Sequence, residues 1–205
     1  MKFLMLLFSV PTLFAGTTYV TVDTSSLAGD PFSIFFYLID GDATLNNVVQ
    51  ISNAQFGGGS LFGSPTLDGD VSGSLATTVT IGDMQFFNAY SHIFFTGSFL
   101  SFDLSFTANF AGGTPDSLAF LLLDNNTGLP IPTLDPLGSD VFLLFDLSNP
   151  GLGQAYATDP QRTSIVIPAP SVTAATNEVP EPATLFMVST TLIAILAINR
   201  RRRLK

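Results

Sequence analysis

Between Ser98 and Thr107, Leu100, Phe102, Leu104 and Phe106 alternate with Ser101, Asp103 and Ser105. A period of two with one apolar and one polar face is an antiparallel strand that buries half of itself. The pattern returns at Thr18–Asp23, with Val20 and Val22 inward, and at Ser74–Ile81, with Leu75, Val79 and Ile81 inward. Phe32–Ile39, Leu118–Leu123 and Val141–Leu147 are apolar on both faces, as central strands are. Turn residues punctuate these runs at Asp40-Gly41, Gly57-Gly58-Gly59, Asp68-Gly69, Asn126-Thr127-Gly128 and Asp135-Pro136-Leu137-Gly138. Away from the two chain ends a helical period is wanting; at most one turn is expected within Asp83–His92. About eight to ten short strands predict an all-β fold, a single antiparallel β-sandwich of jelly-roll or Greek-key type over residues 17–167.

The ends read differently. Met1-Lys2, an apolar Phe3–Phe14 and the small residues Ala15-Gly16 have the order of a cleavable export signal over 1–16. Residues 168–179, rich in Pro, Ala and Thr, read as a semi-extended linker. From Ala183 to Ile198 the chain carries no charge. At about 1.5 Å per residue that run is roughly 24 Å long, near the lower limit for a membrane span, and Asn199 extends it slightly. Arg200, Arg201, Arg202 and Arg203, with Lys205, then hold that end in the cytoplasm. Pro180, Glu181 and Pro182 keep the chain extended just outside the span, because proline cannot continue a helix.

This order of motif, span and basic terminus resembles the PEP-CTERM sorting signal over Val179–Lys205. The resemblance implies a Gram-negative bacterium, often one that makes exopolysaccharide, and a membrane-embedded exosortase that recognises Pro180, Glu181 and Pro182. It also implies a precursor tethered to the inner membrane by its C-terminal helix and then moved to the cell surface or extracellular matrix. The body resembles uncharacterised PEP-CTERM proteins at Tyr19–Ser25, Asp70–Leu75, Ser98–Phe102, Leu121–Asp124 and Leu134–Pro136. That group has no established activity.

Between Thr17 and Val179 fifteen acids face one base, Arg162. Such a body has no basic footprint for nucleic acid or anionic lipid. It is compatible with cations and with neutral sugars. There is no cysteine, so disulfides and thiolate chemistry are excluded.

Catalysis finds little support in the residues, and no catalytic or cofactor-binding residue is assigned. His92 is the sole histidine, and it reads as a turn or strand-end residue; Ser91 beside it would face the other way in a strand. Glycoside hydrolysis needs a carboxylate pair, but most aspartates sit beside Gly, Pro or Asn, where capping of turns accounts for them. Asp40-Gly-Asp42 and Asp68-Gly-Asp70 are the best candidates for a metal: each places two carboxylates across a glycine, where a structural Ca²⁺ would be held. Asp124–Asp135 begins like an EF-hand loop, but Leu129, Pro130 and Pro132 break the pattern. Phe35-Phe36-Tyr37, Phe86-Phe87 and Phe94-Phe95 put one aromatic on each face of a strand, leaving open whether the outer ones are covered or stack on sugar.

The expectation is an exported, non-enzymatic surface or matrix protein, sorted by an exosortase and associated with exopolysaccharide. The alternative is a carbohydrate-binding β-sandwich module stabilised by calcium.

Overall fold

Alternation of apolar and polar residues organises the whole domain. The structure, a computed structural model, describes residues 16–148 and 153–174. They belong to one compact unit that closes at Ala175. Among them run β1 (Gly16–Asp23), β2 (Pro31–Ile39), β3 (Val48–Gln55), β4 (Ser60–Asp68), β5 (Val71–Gly73) and β6 (Thr78–Gly82). They continue with β7 (Phe87–Phe95), β8 (Phe99–Phe106), β9 (Ser117–Asp124), β10 (Leu143–Asp146), β11 (Gln154–Ala155) and β12 (Ser171–Ala174). A 3-10 turn at Ser25–Leu27 is the sole helical piece among the described residues.

The strands form two six-stranded antiparallel sheets, ordered β12-β1-β8-β3-β6-β5 and β11-β10-β9-β2-β7-β4. The inward residues anticipated on β1, β6 and β8 are all buried: Val20, Val22, Val79, Ile81, Leu100, Phe102, Leu104 and Phe106. They meet Phe36, Phe120 and Phe145 of the other sheet. Phe36 and Phe102 pack edge-on at 5.2 Å and Phe102 and Phe120 at 5.5 Å, while Phe106 and Phe145 meet at a 57° tilt at 5.4 Å. Edge-to-face rings add about 1 kcal/mol each beyond their buried area. The two sheets are thereby packed face to face as a sandwich-like pair.

β2 and β9 are central, as their two apolar faces require. Their outer face is covered by the chain after β9 rather than by another sheet: Ala119, Leu121 and Val141 are buried there, with Phe35, Tyr37, Leu144 and Tyr156 packed against them. β4 carries Pro65 at the edge of its sheet, and its register shifts between Phe62 and Thr66, where Gly63 has φ +73°. A bulge on an edge strand is where proline is tolerated.

Three sequence expectations are corrected. The turn of helix within Asp83–His92 is a bend followed by β7, because Asn88, Tyr90, His92 and Phe94 alternate inward at period two. His92 is neither in a turn nor at a strand end: it lies inside β7 and is 5 % exposed. Ser171–Ala174, expected to lie in the linker, pairs with β1 from Thr21–Ser171 to Thr18–Ala174; one inward residue, Val172, suffices for an edge strand. Gly16, the last residue of the expected signal, pairs with Phe106. The rest of that signal, the remainder of the linker, Pro180–Pro182, the expected span and Arg200–Arg203 lie outside the described residues. Among the described residues no helix is long and apolar enough to cross a membrane.

Candidate functional site

Register gathers the chemistry at one end. Gly16 lies beside Phe106, Phe106 beside Val49, and Val48 beside Gly82; in the other sheet Ile39 lies beside Phe87 and Ser117. The loops after β2, β4, β6 and β8 therefore share the end at which β1 starts and β12 stops. Asp40, Asp42, Asp68, Asp70, Asp83 and Asp116 all sit on those loops or their strand ends.

The four aspartates singled out for metal fall into two places. Asp40 and Asp42 converge with Asp116, each offering an oxygen within 4.8 Å of the others. Asp116 is 2 % exposed. Its Oδ1 accepts Gly41 N–H at 2.8 Å and its Oδ2 accepts the Asn47 side-chain amide at 2.8 Å. Asn47, 1 % exposed, ties the arrangement together: it donates to Asn109 O at 2.8 Å and accepts Asn109 N–H at 2.9 Å and the Thr107 hydroxyl at 3.1 Å. Asp83 accepts the N–H groups of Asn46 and Asn47 at 2.8 and 2.7 Å. Burial, with Asp116, Asp83 and Asp42 nearby, raises the Asp40 carboxyl above its ordinary range, against a lowering by Ala43 N–H. Asp42 is lowered, chiefly by Ala111 N–H and then by Thr44. Each carboxylate keeps a second lone pair, so Asp40, Asp42 and Asp116 offer a hard cation oxygen ligands while also bracing two loops, to which Asp83 ties a third.

Asp68 and Asp70 stand apart, on the rim of an open pocket of about 530 Å³ whose other walls are Met84, Gln85, Phe86 and Phe87. Phe86 is 72 % exposed and Met84, two positions before it on the same loop, 62 %, which is unusual for large apolar side chains. The walls are fixed from beneath by Asn88, which is wholly buried. Its Oδ1 accepts Asp70 N–H and its Nδ2 donates to Gln85 O, both at 2.7 Å. Gly69, at φ +74°, leaves no room for a Cβ: one would lie 2.5 Å from Asn88 Oδ1 and 2.8 Å from Phe87 O. Asp70 Oδ2 rests over Gly82, 2.0 Å from where a Cβ would stand. Sequence spacing pointed to Asp68 and Asp70; the Asn88 brace lay hidden, because a buried asparagine in a strand carries no local signal.

His92 is engaged on both ring nitrogens. Gly63 O can only accept, so Nε2 donates to it at 3.2 Å. Nδ1 then accepts the Tyr90 hydroxyl at 2.9 Å, and the same hydroxyl oxygen accepts Leu75 N–H at 3.1 Å. Ser91, half-buried, faces the opposite side of the strand. Arg162 is likewise occupied, with a forked pair of bonds to Asp140 at 2.6 and 2.8 Å. Compared with family models, curated proteins and solved structures, the chain matches none.

Proposed function

We propose that the protein is an exported, non-enzymatic surface or matrix protein, sorted by an exosortase through Pro180–Pro182 and associated with exopolysaccharide. The observation that carries this reading is the tripartite tail, Pro-Glu-Pro before an uncharged run before four arginines. The domain is compatible with it. Fifteen acids against one base in the exported body suit a hydrated, neutral-sugar matrix better than nucleic acid or anionic lipid. The sole histidine is spent on structural hydrogen bonds, which supports a non-enzymatic role. From β1 to β5 and again from β6 to β9 successive strands alternate between the sheets, and β1-β8-β3-β6 faces β2-β7-β4, which supports a jelly-roll reading of the sandwich. The test is the intact mass of protein extracted from the cell surface. Sorting removes the tail, so the mass lacks Arg200–Lys205; a mass that retains them leaves a plain membrane anchor.

A second reading, a carbohydrate-binding module with a structural calcium ion, is favoured by the pocket at Asp68 and Asp70 and by the convergence of Asp40, Asp42 and Asp116.

A further inference from the structure

We infer that the outer face of β7 and β4 is a track for a neutral, polyhydroxylated polymer chain, running from Phe62 and Phe95 at one end to the Asp68–Phe87 pocket at the other. The inference rests on the carbohydrate-binding reading and names its surface.

The outer side of β9 and β2 is covered by the chain after β9, whereas the outer side of β7 and β4 carries exposed aromatic rings. Phe62, Phe95 and Phe87 are 58, 39 and 40 % exposed. Phe62 and Phe95 meet edge-on at 5.6 Å, and Phe87 meets Tyr37 at 5.7 Å. Between them Ile93 and Ser91 point outward from β7 and are partly exposed, while Ala89 on the same face is buried beside Tyr37 and Asp68, so no charged side chain of that strand interrupts the strip. From Phe95 to Phe87 the strand runs about 27 Å, at about 3.4 Å per residue. That is long enough for several sugar units in a row.

The choice of occupant follows from chemistry. Aromatic faces take the apolar C–H faces of sugar rings, while small serines leave the floor low. At the pocket end Asp68 and Asp70 are hydrogen-bond acceptors without a basic partner among the described residues, which suits the hydroxyl donors of a sugar. A polyanion would be repelled by the same carboxylates, and so would a second copy of this acidic domain. The Asn88 brace and the constrained Gly69 hold the pocket walls before any ligand arrives, which lowers the ordering cost of binding.

The test is affinity electrophoresis of the full chain, in mild detergent, through gels containing hydroxyethylcellulose, galactomannan, xylan or laminarin. Retardation by at least one of these is expected. The double variant Phe62→Ala/Phe95→Ala and the single variant Phe87→Ala each weaken it by about ten-fold or more, as truncation of an aromatic anchor does. Tyr19→Ala, on the opposite sheet and 47 % exposed, leaves it unchanged. The substituted rings lie outside the core, so thermal melts of all variants stay near wild type. Retardation that survives the β7–β4 variants keeps the carbohydrate-binding reading and overturns the track. Absence of retardation on all four polysaccharides overturns both. A wild-type dimer in light scattering that the double variant dissociates makes the face a protein interface and also overturns the track.

Discussion

Asn47 is the residue on which the acidic end depends. Its amide satisfies four partners at once, Asn109 N–H and C=O, the Thr107 hydroxyl and Asp116. Replacing it with alanine leaves buried donors and acceptors unpaired, each worth about 1 kcal/mol or more. Asn47→Ala is therefore expected to lose about 3 kcal/mol in urea unfolding, or roughly 6–12 °C in Tm for a chain of this size. Tyr90→Phe removes the hydroxyl that joins Leu75 to His92 and is expected to lose about 1–2 kcal/mol in the same assay. Neither role was legible in the sequence. Asn47 takes its role from partners as far as 69 positions away, and Tyr90 from Leu75, 15 positions back, together with His92 on its own strand, whereas the Asp-Gly-Asp pairs advertised themselves by spacing. Spacing identified the two pairs and missed the third member of the first: Asp116, which completes it, lies 74 residues beyond Asp42.

Elements were legible where period two was long and failed where it was short or interrupted. β8 was visible because four inward apolar residues alternate without a break, and β2 because both of its faces are apolar. β4 escaped because Gly63-Ser64-Pro65 interrupts it with a bulge, and β12 because it has a single inward valine. The edge strands make this testable. Gly73, at φ +86°, closes the turn into β6, and a Cβ there would stand 1.9 Å from Thr78 O. Gly73→Ala is expected to cost about 2 kcal/mol or more, from left-handed strain together with the clash, and to expose β5 to amide exchange before the rest of its sheet. The segment that follows β11 is pinned instead by Arg162 on Asp140. Burial pushes the Asp140 carboxyl up, but hydrogen bonds from Arg162 and Thr133 outweigh it, and the net displacement is below the ordinary 3.8. A carboxylate lowered on folding contributes stability above its unfolded value and loses it as pH falls through the folded one. Arg162→Gln is thus expected to lower Tm at pH 7, with the difference from wild type shrinking below about pH 4; an equal deficit at pH 7 and pH 3 would deny the pair this role.

For the molecule as a whole, negative charge is gathered at one end of the sandwich, and at Asp40 protons and cations act in the same direction. Asp40 is raised by burial and by Asp116, Asp83 and Asp42. A carboxyl raised on folding opposes the folded state at neutral pH, and that opposition fades as pH falls toward its unfolded value. Sodium chloride is expected to raise Tm by general screening. Calcium, if it sits among Asp40, Asp42 and Asp116, raises it further than sodium chloride of equal ionic strength. At free calcium ten-fold above its dissociation constant the excess is about 1.4 kcal/mol, or roughly 3–6 °C. The excess is reversed by EDTA, is lost in Asp42→Asn, and fades between pH 7 and pH 4 as protons replace the ion. Asp42 suits the test because it is half-buried and its removal leaves the Asn47 network whole. Equal melting curves for calcium and ionic-strength-matched sodium chloride would assign the three carboxylates to loop bracing alone.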